Sequence, residues 1–169
     1  MKTLLLLRHA ESDWGNPGVN DFDRPLNACG RKAAPRIATF VRSVALCPDL
    51  VWHSTAARAS ETWSLMAPVL SYSAEVAPRD DLYLASQEGL LAIIRNAPDH
   101  AERLMIVAHN PGLHDLALSL TTSSPDPAEL AQLKGGLPTS ALAIIAFCVT
   151  GWPSIGNGEL LRFVWPTKP

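Results

Sequence analysis

The chain has 169 residues, with 14 basic against 16 acidic side chains and a formal net charge of −2. At roughly 150 residues per domain this predicts one domain, 1–169, long enough to bury about 70% of its unfolded surface without staples. A hydrophobic share of 47% is too high for a disordered chain, and the even charge balance excludes a nucleic-acid binder working through a strong basic field. No run of 18 apolar residues exists to span a membrane as a helix.

The apolar run near the start, Leu4 to Leu7, is closed by Arg8-His9 and is too short for the core of a signal peptide. Cys29, Cys47 and Cys148 are odd in number and lack CxxC spacing, which predicts buried thiols in a reducing, cytoplasmic setting.

Leu4 to Leu7 reads as a first strand buried on both faces, followed by a polar loop from Glu11 to Arg24. Asn27 is the expected N-cap of a helix with Ala33, Ile37, Val41 and Val44 inward, in which Pro35 should bend the helix or delay its start. Asp49 to Trp52 is a second strand ending at His53-Ser54. A helix with Ala59, Thr62, Trp63, Met66 and Val69 on one stripe follows, ended by Pro68. Glu75 to Ala77 is a weak third strand, and Ser86 caps a helix with Leu90, Ile93 and Ile94 inward. Leu104 to Ala108 is a strong buried strand, followed from about Gly112 by a helix facing inward through Leu113, Leu116, Ala117 and Leu120. Asp126-Pro127-Ala128-Glu129 has the layout of a capping box with Pro at the first helical position. Ala141 to Val149 and Leu160 to Trp165, joined through Asn157-Gly158, predict an antiparallel hairpin. This alternation predicts an α/β, three-layer α/β/α sandwich with a mainly parallel central sheet.

In such sheets ligands bind beyond the carboxyl ends of the strands. Three of those ends carry Arg8-His9-Ala10-Glu11-Ser12, His53-Ser54-Thr55-Ala56-Ala57-Arg58 and His109-Asn110-Pro111-Gly112. With the strands side by side, Arg8, His9, Arg58 and His109 converge. Guanidinium forks match phosphate oxygens, and a neutral imidazole is a nucleophile near pH 7. The helix after Pro111-Gly112 would aim its first amides at the anion. Any one of these residues alone is ordinary; three strand ends together point to an anion site.

At these residues the sequence resembles the histidine phosphatase superfamily, with its phosphoglycerate-mutase-like fold. Leu6-Leu7-Arg8-His9-Ala10-Glu11-Ser12 is similar to its signature, Ser54 to Thr62 to its second arginine motif, and Val107 to Pro111 to its second histidine motif. Asp23-Arg24-Pro25-Leu26, Gly30 and Thr139-Ser140-Ala141 resemble the short SixA-type phosphohistidine phosphatases. The resemblance implies that His9 is transiently phosphorylated while Arg8, Arg58 and His109 hold the phosphoryl oxygens, with no metal and no cofactor. Arg24 either adds a contact at the rim or forms a loop salt bridge with Asp21 or Asp23. Ser12 either donates to the phosphate or serves the turn. His53, His100 and His114 form no ligand cluster and read as surface or supporting groups.

Two departures from the pattern stand out. Ala10 occupies a position where Gly is commoner, and it remains small enough for backbone to approach phosphate. Asn110 follows the second histidine where one branch has an acid, so the proton donor falls to Asp81, with Asp80 as competitor. The 27 residues between Asp81 and His109 leave little room for a lid. The implied substrate is therefore protein phosphohistidine, with small phosphate monoesters, or a silent phospho-ligand module, as alternatives. Neither nucleic acid nor membrane is an expected partner.

Overall fold

The computed structural model describes residues 1–70 and 73–165. It is a seven-stranded sheet with helices on both faces, the strands ordered β3-β2-β4-β1-β6-β7-β5. The strands are β1 (Lys2–Arg8), β2 (Leu50–Ser54), β3 (Glu75–Arg79), β4 (Arg103–Ala108), β5 (Thr121–Ser123), β6 (Leu142–Phe147) and β7 (Gly158–Val164). Strand β1 pairs parallel with β4, β4 with β2 and β2 with β3. On its other side β1 pairs antiparallel with β6, and β6 with β7, which is the expected hairpin.

The alternation of a pleated strand divides the core in two. Leu5 and Leu7 of β1 join Val51, Met105 and Val107 on one face, against helices α1 (Ala28–Ser43) and α2 (Ala57–Leu70) through Ile37, Val41, Trp63 and Met66. Leu4 and Leu6 join Trp52, Leu104 and Ile106 on the other. There α3 (Gln87–Arg95), α4 (Gly112–Leu120) and α5 (Pro127–Gly135) pack through Leu90, Ile94, Leu113, Leu116 and Leu133. Burial on both faces explains why β1 and β4 read as continuous apolar runs. The three-layer sandwich is as expected.

Several local expectations need correction. Helix α1 starts at its Asn27 cap and runs through Pro35, and α2 continues past Pro68 to Leu70. The residues whose carbonyls these prolines cannot serve, Arg31 and Ser64, are exposed, so breaking the ladder there leaves a carbonyl that water can reach. The inner stripe of α1 uses Ala34 and Ala38 where Ala33 and Val44 were expected, and both of those are half-buried. The capping box is half made: Asp126 accepts from the amides of Ala128 and Glu129. The Glu129 carboxylate instead takes the Phe163 amide and pairs with Arg162. Strand β5, parallel to β7, is only three polar residues long and left no pattern to read. Cys29 and Cys148 are exposed and Cys47 is half-buried, contrary to the expectation of buried thiols. Among the described residues no helix is long and apolar enough to cross a membrane.

Candidate active site

The chain leaves β1 toward α1 on one face of the sheet and leaves β4 toward α4 on the other, although β1 and β4 are neighbours. The loops diverge there and open a crevice at the carboxyl ends of the strands. Because Arg8 lies opposite Ala108, the next residues, His9 and His109, emerge level with one another. Their ring centroids are 5.1 Å apart. Arg58 arrives in the first turn of α2. A cavity of about 330 Å³ is lined by Arg8, His9, Ser12, Arg24, Arg58 and His109. Six of the seven site residues predicted from sequence are thus brought together.

The ends of these elements are held by backbone and by small residues. The Ser140 amide, at a φ of 64°, donates to the carbonyls of Arg8 and His9. The Ala10 amide donates to Thr62 Oγ1 at 2.9 Å, and the Thr62 hydroxyl donates in turn to the Arg58 carbonyl at 2.7 Å. A Cβ on Gly30 would stand 2.1 Å from the Glu11 carbonyl oxygen, so only glycine lets α1 approach the loop after His9 this closely.

His9 Nδ1 lies 2.8 Å from the Ala10 carbonyl, which accepts only, so this nitrogen carries the proton and Nε2 keeps its lone pair. Arg58 Nε donates to that Nε2 at 3.2 Å. Burial, aided by the charges of His109, Arg58 and Arg8 and opposed by the Ala10 bond, pushes His9 down to about 3. Burial and then the Arg58 charge push His109 down to about 3 as well. Both imidazoles are neutral at pH 7. His109 Nε2 lies 2.8 Å from Ser54 Oγ, which also accepts the Ala56 amide. In the tautomer in which the Ser54 hydroxyl donates to Nε2, the ring proton of His109 is on Nδ1. That Nδ1 is buried with no partner, as are Arg8 Nε, Arg24 Nε and Asn110 Oδ1. Orphaned polar atoms gathered around one cavity mark a place where a ligand completes the hydrogen bonding.

Arg24 donates to Ser12 Oγ, and the Ser12 backbone bridges to Leu26. Arg24 also pairs with Asp21 at 2.8 Å, so of its open roles the structure contains the salt bridge, at the cavity wall. Asp21, which sequence reasoning noticed only as a possible mate of Arg24, lines the same cavity. Its hydrogen bonds from Arg24 and then Tyr83, with help from Arg58, hold its carboxyl well below the usual carboxylate range.

Asp81 is the predicted site residue that the structure does not bring in. Its carboxylate accepts from Arg79 Nε and Nη2, at 2.9 and 2.6 Å, and faces solvent. Asp80 accepts from the Thr55 hydroxyl instead. The α4 amides also differ from expectation: those of Leu113 and Asp115 bond the carbonyls of His109 and Pro111. Gly112 packs so tightly on Ala85 that a Cβ would lie 2.0 Å from its carbonyl oxygen. His53 is buried against Ser54 and Ser60, His114 bonds the Leu133 carbonyl, and His100 is exposed.

The sequence model of the histidine phosphatase superfamily (branch 1) matches residues 4–90, just over half of the chain. The chain belongs to that superfamily. Membership of that superfamily, with the solved structures below, supports a phosphatase activity. An uncharacterized Mycobacterium tuberculosis protein is 31% identical over 140 residues, covering 82% of this chain and 85% of the relative. An uncharacterized chloroplastic protein of Arabidopsis thaliana is 31% identical over 132 residues, 73% of this chain. The match spans only 61% of the length of that plant relative.

Among solved structures, a protein assigned as phosphohistidine phosphatase SixA from Agrobacterium tumefaciens is 30% identical with a TM-score of 0.80, over 98% of both chains. One given the same assignment from Nakamurella multipartita is 26% identical with a TM-score of 0.83, over 98% and 96%. The SixA-type resemblance read from the sequence is therefore matched by structure along nearly the whole chain.

Proposed function

We propose that the domain hydrolyses phosphohistidine on proteins through a phosphoryl intermediate on His9. The observation that carries this reading is the lone pair of His9 Nε2 in a cavity walled by three guanidiniums and a second imidazole. A phosphoryl dianion bound there meets spare donors on Arg8, Arg24 and Arg58 and the unpartnered Nδ1–H of His109. As Arg58 Nε–H turns from His9 Nε2 to a phosphoryl oxygen, Nε2 attacks phosphorus, forming one P–N bond as the P–N bond to the substrate imidazole breaks. Water then attacks the His9-bound phosphorus, releasing inorganic phosphate and restoring the lone pair.

Two features favour an imidazole as leaving group. The acid side chains lining the cavity are Glu11, bonded by Asn27, and Asp21, which is held ionised and has no proton to give. An alkoxide leaving group needs a positioned acid, worth roughly 10²–10⁴-fold. Phosphohistidine protonated at its distal nitrogen leaves as neutral imidazole without one. In addition, Trp14, Phe22 and Leu84 expose large apolar surface near the phosphoryl pocket; Trp14 and Leu84 line it. A protein substrate can cover such a rim, and a free sugar phosphate has little use for it.

The deciding experiment incubates the chain with ³²P-phosphohistidine protein. Acid-labile label on wild type, absent from His9→Ala, together with phosphate release at least about 10⁴-fold slower in the variant, is expected. Phosphate binding without labelling would make the domain a silent phospho-ligand module, and much faster turnover of p-nitrophenyl phosphate would make it an ester phosphatase.

A further inference from the structure

Asp21 has more polar contacts in the cavity than any residue assigned a role above. Its Oδ1 takes Arg24 Nη2 at 2.8 Å, and its Oδ2 takes Arg58 Nη2 at 3.0 Å and the Tyr83 hydroxyl at 2.7 Å. Its backbone carbonyl takes Arg58 Nη1 at 2.5 Å. The next carbonyl, of Phe22, is gripped by the Ala57 amide at the start of α2 at 2.9 Å. The loop from residue 13 to 23 is thereby tied to the helix that carries Arg58.

A guanidinium has five hydrogens. Arg58 gives one from each nitrogen, to His9, to the Asp21 carbonyl and to the Asp21 carboxylate, and keeps one on each terminal nitrogen. Arg24 gives one to Ser12 and one to Asp21. Asp21 therefore engages one edge of each fork and leaves donors over for an oxyanion. It also bridges two like charges: without it Arg24 and Arg58 would repel one another and their forks would splay.

We infer that Asp21 is a positioning residue, which aligns the Arg24 and Arg58 forks for the phosphoryl group without itself touching the reacting atoms. The inference rests on the phosphatase reading, and Tyr83 serves it by fixing Asp21 Oδ2 from outside. The opposite role is physically open to the same contacts, since a carboxylate on two arginines can also compete with phosphate for them. The two roles differ in sign.

The test measures inorganic phosphate affinity by calorimetry, and kcat and KM on phosphohistidine, for full-length wild type, Asp21→Ala, Asp21→Asn and Tyr83→Phe. Positioning predicts that Asp21→Ala weakens phosphate binding and lowers kcat/KM by about 10- to 100-fold, the cost of a misplaced fork. Asp21→Asn, which keeps one acceptor oxygen, recovers part of the loss, and Tyr83→Phe loses about 3-fold with both arginines intact. Tighter phosphate binding in Asp21→Ala overturns the inference in favour of competition, and unchanged phosphate affinity and kcat/KM overturn it by leaving Asp21 with no role in the site. Circular dichroism separates misfolding, and Tyr83→Phe remains informative if Asp21→Ala does not fold. Absence of turnover and of His9 labelling in wild type would sink the phosphatase reading instead, while the phosphate affinities would still decide the role of Asp21.

Discussion

The two ends of the central strands bury positive charge in opposite ways. At the amino end of β1, Lys2 is only 3% exposed, and its ammonium donates to the carbonyls of Asp99 at 2.6 Å and Ala101 at 2.9 Å beneath Trp152. At the carboxyl end, Arg8 and Arg24, beside the neutral ring of His109, retain buried nitrogens with no partner around one cavity. A buried cation whose donors are matched holds the fold together; one whose donors are left over is waiting for an anion.

The sharpest way to break the comparison is to remove one cation from each end. Arg58→Met should reduce phosphohistidine turnover by about 10²–10³-fold, as for a lost oxyanion donor. It should leave the unfolding midpoint nearly unchanged, because Asp21 keeps Arg24 and Tyr83. Lys2→Met keeps the packed stem but strands two carbonyls, costing about 1–3 kcal/mol of stability with turnover intact. Urea unfolding and steady-state kinetics on both variants check this. If Lys2→Met harmed turnover and Arg58→Met harmed only stability, the division between the two ends would be wrong.

Acid provides a second contrast. His9 and His109 are held neutral, each with its pKa lowered from 6.5 to about 3, burial being the largest cause. A group whose folded pKa is depressed contributes stability that is complete above its unfolded value and lost as pH falls toward the folded one. Stability should therefore decline between pH 6.5 and about 3, at up to about 1.4 kcal/mol per pH unit per ring. Replacing His109 with Gln should remove close to half of that decline, seen as a flatter plot of urea midpoint against pH. A wild-type midpoint constant from pH 6.5 to 4.5 would contradict the buried, neutral rings. At the Lys2 end no imidazole lies among the contacts described, so Lys2→Met should leave the slope alone.

What the sequence made legible follows the same physics. Leu4 to Leu7 and Leu104 to Ala108 are buried on both faces, so they stand out as apolar runs, and the residues just past them are the pocket. Arg8, His9 and His109 were found for that reason, and Arg58 from the loop that ends the second strand. Asp21 was nearly invisible, lying 37 residues from Arg58 in a loop where Asp13 and Asp23 look equally suitable. The folded chain shows which aspartate faces the arginines, through the Phe22–Ala57 backbone bond and the contacts of Asp21 with Arg24 and Arg58. Asp81 was misdirected for a local reason. Arg79, two residues earlier, folds back onto its carboxylate and takes it away from the cavity. Thr62 was read as core, and it is buried, yet its hydroxyl also links Ala10 to Arg58. A stripe of buried residues on a helix conceals such a link, because periodicity registers where a side chain faces and not what it bonds.

The smallest effect is expected at Ala10, where the chain departs from the commoner glycine. Glycine would be required if the backbone here had positive φ, but among the described residues that conformation belongs to Ala45, Leu84, Ser140 and Gly136. Ala10 is fully buried, its amide bonded to Thr62 and its carbonyl to His9, so the ordinary backbone region already presents both groups correctly. Ala10→Gly then removes a packed methyl and loosens the unfolded chain, for a loss of about 1 kcal/mol in stability. Turnover should stay within about 3-fold, because the groups that orient His9 Nδ1 are main-chain atoms and survive the change. A rise in kcat/KM beyond 10-fold would mean that the methyl crowds the bound phosphoryl group. Ala10 would then belong with the arginines as part of the site and not with Lys2 as part of the frame.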